Sequence, residues 1–67
     1  NRLSVERQAR GWTRMETGFR SGIHPARVGQ IESGRVVPRS DSIELRRLAI
    51  ALGWRRDPAL LLEEVEE

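Results

Sequence analysis

The chain has no cysteine and no lysine, and it carries a single histidine, His24. Without thiols, neither a disulfide framework nor a thiolate metal site is available. One histidine leaves no histidine-cluster metal centre and no redundancy for a histidine–carboxylate triad. A nucleophile–base pair and a phosphate-cradling glycine loop are also missing, so an enzyme, a metal and a cofactor are not expected. No apolar run approaches the roughly 20 residues that cross a bilayer, and no signal-peptide pattern appears. The expected location is a reducing cytoplasm, away from membranes.

At 67 residues the chain reads as a single domain over 1–67. A chain this short buries only about 60% of the surface it exposes when unfolded. Stability should therefore be modest unless a partner or a second copy adds buried area. The first residue is Asn1 rather than methionine, as expected of a piece of something longer.

Charge says more by position than in total. Residues 1–62 hold twelve arginines against six acids, a net of +6, whereas Glu63, Glu64, Glu66 and Glu67 make the last five residues −4. A basic body suits a polyanion such as nucleic acid. A solvated surface from an arginine-rich, GC-rich genome has the same composition, and charge alone does not separate the two.

Every periodic stretch is helical. Residues 2–10 form a first helix with a thin apolar face of Leu3, Val5 and Ala9, stopped at Gly11. Thr13 and Glu16 make a T-x-x-E capping box for a helix over 13–21, with Trp12 packing back onto the core. Met15 and Phe19 stand four apart and share one face of it. Gly18 interrupts it at about 1 kcal/mol relative to alanine, unless a neighbouring helix must approach closely there.

Gly22 turns the chain, and Ile23 is a buried plug. His24 becomes an N-cap, and Pro25 takes the first helical position, where a missing amide does no harm. The helix over 25–33 then places Val28 and Ile31 on one side and Ala26, Gly29, Gln30 and Ser33 on the other. One face packs; the other is small and polar.

After Gly34 and a linker containing Pro38, Asp41 and Glu44 suggest a second capping box, opening a helix over 41–52. Leu45, Leu48, Ala49 and Leu52 form the strongest apolar stripe in the chain, and Ile43 and Ile50 suggest burial on a second side. Asp57-Pro58 opens a fifth helix over 58–65 through Leu60, Leu61, Leu62 and Val65. Its glutamate-rich end sits where the helix dipole disfavours negative charge, so it should fray.

This order of helices, with Gly22-Ile23, Val28, Ile31-Glu32, Gly34, Pro38, LRRLAIALG at 45–53 and DPALLL at 57–62, resembles the phage-repressor/Cro, or Xre-like, helix-turn-helix domain. The resemblance implies an all-α, compact five-helix lambda-repressor-like fold. It also implies a DNA-binding repressor or other transcription regulator of a prokaryote or phage, acting on the nucleoid. The third helix would lie in the major groove. By position, Gln30, Arg27, Ala26 and Pro25 would read bases. Thr13, Arg14, Arg35 and Arg39 would hold phosphates, with His24 and Ser33 as further contacts. Arg7 and Glu32 match a structural ion pair of the family.

The sequence departs from that pattern at Thr17 and Gly18, where Leu-Ala is usual, and at Ser21 and Glu6, where apolar residues are usual. The linker before the fourth helix is about two residues longer. These departures leave the rotation of the second helix open. They also leave open whether Met15 and Phe19 belong to the core or meet a partner. Leu61 and Val65 are candidates for the same partner surface or for the seam of a homodimer. A protein-interaction or antitoxin-type module on this scaffold is the alternative function.

Overall fold

The computed structural model describes residues 1–65. Four α-helices follow in order: α1 Arg2–Ala9, α2 Arg14–Ser21, α3 Pro25–Ser33 and α4 Ile43–Leu52. A 3-10 helix, Pro58–Leu62, comes last, and no strand occurs among the described residues. Among the described residues the architecture is all-α, with four α-helices rather than five.

The expected helix over 58–65 is the difference. A five-residue segment is too short to sustain α-helix nucleation on its own, and the chain leaves the helical path at Glu63, which is extended (φ −66°, ψ 140°). There the Glu63 carbonyl accepts from the Arg2 amide at 2.8 Å, closing the end of the described chain onto α1. Glu66 and Glu67, expected at a frayed helix end, lie outside the described residues.

The caps differ in part from those the sequence suggests. Ser42, not Asp41, caps α4, its hydroxyl accepting from the Leu45 amide at 3.2 Å. Thr13 caps α2 as expected, accepting from the Glu16 amide at 3.0 Å. Neither glutamate completes a capping box, however. Glu16 pairs with Arg20 at 2.7 Å and Glu44 pairs with Arg27 at 2.8 Å, because a cation on the same or a neighbouring helix is within reach of each carboxylate. Asn1 caps α1 through the Ser4 amide, and its Nδ2 donates to the Ile31 carbonyl at 3.0 Å. One side chain thus serves the start of α1 and the end of α3.

The core is a cluster of Leu3, Ile23, Val28, Ile31, Leu48, Ala49, Leu52 and Leu61, with Trp12, Trp54 and Leu62 packed against it. From α1 only Leu3 is buried, and the helix packs on α3 and on the 3-10 helix. Leu61 is fully buried, so it is a core residue and not part of a partner surface, whereas Val65 is half-buried. Ile43 and Ile50 are exposed, so α4 is buried along one side only.

The rotation of α2 is now defined. Thr17, Gly18 and Ser21 face inward, while Met15 and Phe19 are 72% and 86% exposed. The two buried hydroxyls stay satisfied by donating backwards along the helix, Thr17 to the Thr13 carbonyl at 3.0 Å and Ser21 to the Thr17 carbonyl at 2.7 Å. Gly18 meets the turn that follows. A Cβ there would overlap the Ile23 carbonyl oxygen and stand 3.2 Å from the Pro25 ring. The close approach allowed for in the sequence is therefore real. Gly22, at φ +74°, takes the left-handed conformation that reverses the chain between α2 and α3.

Candidate nucleic-acid interface

The geometry of α3 begins at its cap. His24 Nδ1 accepts from the Ala26 amide at 3.1 Å, and Pro25 occupies the first turn. Val28 and Ile31 anchor the inner side in the core, and Glu32 is buried with them. The outer side leaves Ala26, Gln30 and Ser33 exposed, with Gly29 half-exposed between them.

Along that outer side runs an open cleft of about 380 Å³ lined by Arg14, Ala26, Gly29, Gln30, Ser33 and Arg35. Small residues form its floor and arginines from neighbouring elements form its rim. Arg14 lies across Gly29, where an added Cβ would stand 3.5 Å from the Arg14 Cδ. Its Nε is 3.4 Å from Glu32 Oε1. Its two terminal nitrogens have no partner among the described residues. Arg35 follows the Gly34 C-cap of α3, and the next amide, of Val36, donates to the Gln30 carbonyl at 3.2 Å, tying the linker to the helix. Ser33 donates to that same carbonyl at 3.1 Å.

Behind the cleft, Glu32 is 2% exposed and accepts from Arg7 twice, from Nε at 2.7 Å and from Nη2 at 3.2 Å. Arg7 Nη1 also donates to the Trp12 carbonyl at 2.7 Å. The pair therefore joins α1, the turn before α2, and α3. Through its second oxygen it reaches Arg14 at the rim.

Five of the candidate DNA contacts do not line the cleft; Thr13 and His24 cap α2 and α3, and the other three lie elsewhere. Pro25 packs toward Gly18 on the α2 side rather than lining the cleft. Arg39 pairs with Asp41 at 3.4 Å on the exposed linker. Arg27 points along the α4 flank of α3, donating to Glu44 from Nε at 2.8 Å and from Nη2 at 2.9 Å. Those hydrogen bonds, reinforced by opposite charge, raise the Arg27 guanidinium above its ordinary value and lower the Glu44 carboxyl below its own, against a weaker opposing effect of burial. Both side chains remain about a third exposed, so water screens much of their attraction.

Thr13 accepts from the Glu16 amide as the α2 cap, and it is exposed beside Arg14. Two participants escaped the sequence reading. Gly29 falls on the polar face by periodicity with no contact expected, yet Arg14 passes over it, close enough that an added Cβ would stand in ordinary van der Waals contact. Glu44 was read as a capping acid. Its contact with a residue 17 positions away leaves no local signal.

The profile of the helix-turn-helix domain family matches residues 1–62, and the chain belongs to that family. Domains of this kind bind DNA and are not enzymes. Comparison with curated proteins and with solved structures returns no match. Among the described residues, no helix is long and apolar enough to cross a membrane.

Proposed function

We propose that this domain binds double-stranded DNA sequence-specifically, as part of a prokaryotic or phage transcription regulator of the phage-repressor/Cro, Xre-like type. The observation that carries the reading is the outer face of α3. Exposed Ala26, Gln30 and Ser33 stand in a shallow cleft whose rim is arginine. Such a face admits base edges between two phosphate strands.

Gln30 reads adenine, its amide donating to N7 and accepting from N6. The Ala26 methyl suits a thymine methyl beside it. Arg14 takes a phosphate on one rim, assisted by Thr13 at the N-terminus of α2, and Arg35 takes another. His24 and Ser33 are secondary contacts, and Arg39 adds charge farther along the strand. Two copies on a palindrome would present their α3 helices about one helical turn apart. This function takes place on the nucleoid, in the cytoplasm.

Selection from a random duplex pool at two salt concentrations tests this. One enriched motif is expected, with affinity falling as roughly the 0.9 power of salt for each phosphate neutralised. Gln30→Ala should relax one base pair and reduce binding to the selected site by about 1–3 kcal/mol. Equal binding of all sequences by the wild type and by the variant would remove the assignment.

The exposure of Met15 and Phe19 favours a second reading, a protein-interaction or antitoxin-type role on the same scaffold. In that case Met15→Gln and Phe19→Gln, rather than Arg14→Ala and Gln30→Ala, abolish the activity of the parent protein.

A further inference from the structure

The recognition helix carries one arginine of its own, and an acid on another helix holds it. Arg27 sits on the flank of α3 that faces α4, and it engages Glu44 side-on through Nε and Nη2 at 2.8 and 2.9 Å. Glu44 belongs to the first turn of α4, close to the start of that helix. On the opposite flank of α3, Arg14 is turned toward the cleft with its terminal nitrogens free among the described residues. One flank presents an arginine. The other withholds one.

We infer that Glu44 is an affinity-setting residue that competes with DNA phosphate for Arg27, keeping the generic affinity of this domain low. The inference rests on the DNA-binding reading above and deepens it. A carboxylate and a phosphate offer a guanidinium the same paired oxygen acceptors, so one can occupy the place of the other. Here the carboxylate is supplied in the fold. While it stays paired, Arg27 adds little net charge to the binding face, and discrimination falls to groups that touch base edges. Phosphate contacts strengthen binding to every sequence alike, so restraining one lowers affinity for unrelated DNA. The pair is partly exposed and has no other polar partner among the described residues, so the exchange requires no repacking of the core.

The test measures binding of Glu44→Gln, Arg27→Ala and the double variant to one unrelated duplex and to the selected duplex, across a salt series. Glutamine keeps the shape of the side chain and removes its charge. Glu44→Gln should bind unrelated DNA about fivefold more tightly at low salt, with a salt slope steeper by about 0.9, equivalent to one additional phosphate contact. Its binding to the selected duplex should tighten by the same factor, so the preference between the two stays as in the wild type. Arg27→Ala leaves the Glu44 charge unpaired and should bind unrelated DNA no more tightly than the wild type, and Glu44→Gln in the Arg27→Ala background should bring no gain in affinity or slope over the wild type. Circular dichroism melts verify that each variant is folded, and Glu44→Ala serves as the second replacement should the glutamine variant fail.

A gain of the same size without Arg27 would show that only the loss of a negative charge matters, and would overturn the inference. So would weaker specific binding by Glu44→Gln, which would make the pair an orienting device for base contact. A wild type that binds DNA with no response to Glu44→Gln would sink this inference alone. A wild type that binds no duplex at either salt would sink it together with the DNA-binding reading.

Discussion

Helices α2 and α4 both pack into the interior, and they do so with opposite chemistry. The inner face of α4 is Leu45, Leu48, Ala49 and Leu52. The inner face of α2 is Thr17, Gly18 and Ser21, while its largest apolar side chains, Met15 and Phe19, point outward. Helix α4 contributes buried apolar area, the main favourable term in folding. Helix α2 contributes proximity. A glycine and two short hydroxyl residues let the α2 backbone approach the Ile23–Pro25 turn, which an added Cβ at Gly18 would obstruct. That approach fixes how α3 sits against α2, and Arg14 then reaches across Gly29 to the rim of the cleft. Apolar burial holds the domain together, and small polar residues set the geometry of its working face.

Three variants can break or sharpen this contrast. Leu48→Ala on α4 should have the largest effect, a loss of about 2–5 kcal/mol in urea denaturation, since the side chain is fully buried and leaves a cavity. In a 67-residue domain that is a large share of total stability. A cost below 1 kcal/mol would mean that α4 is not the main source of burial.

Gly18→Ala on α2 comes next. Alanine is the better helix former by about 1 kcal/mol, yet its methyl meets the Ile23 carbonyl, so a net loss of about 1–3 kcal/mol is expected. The same variant should weaken DNA binding beyond what its stability explains, because the turn and α3 must shift. A stabilised Gly18→Ala that binds as before would show that proximity at this point is incidental.

The smallest effect belongs to the outer face of α2. Replacing Met15 and Phe19 together by glutamine should change the stability of the isolated domain by no more than about 0.5 kcal/mol. A loss of several times that size would put these residues in the core and erase the contrast.

Some of this was legible along the chain and some was not. The α3 limits, the His24 cap, the Gly22 turn and the apolar stripe of α4 follow from local rules about caps, turns and helical periodicity. Thr13 as the α2 cap was readable for the same reason. Asp41 was favoured over Ser42 because both are good caps, and a D-x-x-E spacing looks complete on paper. Its glutamate instead found Arg27. Leu61 and Val65 looked alike as late apolar residues in one helix. The chain bends away at Glu63 to meet Arg2, leaving Leu61 in the core and Val65 half-buried.

By itself, the sequence determined an all-helical domain with a helix-turn-helix at its centre, a polar outer side on the second helix of that motif, and no metal–thiolate chemistry. These follow from periodicity, capping and composition, which act over four or five residues. Tertiary structure alone decided the rotation of α2, the seat of Leu61, the passage of Arg14 over Gly29, and the capture of Arg27 by Glu44. Each depends on residues far apart in the chain meeting in space, and contact of that kind is set by packing, not by local spacing.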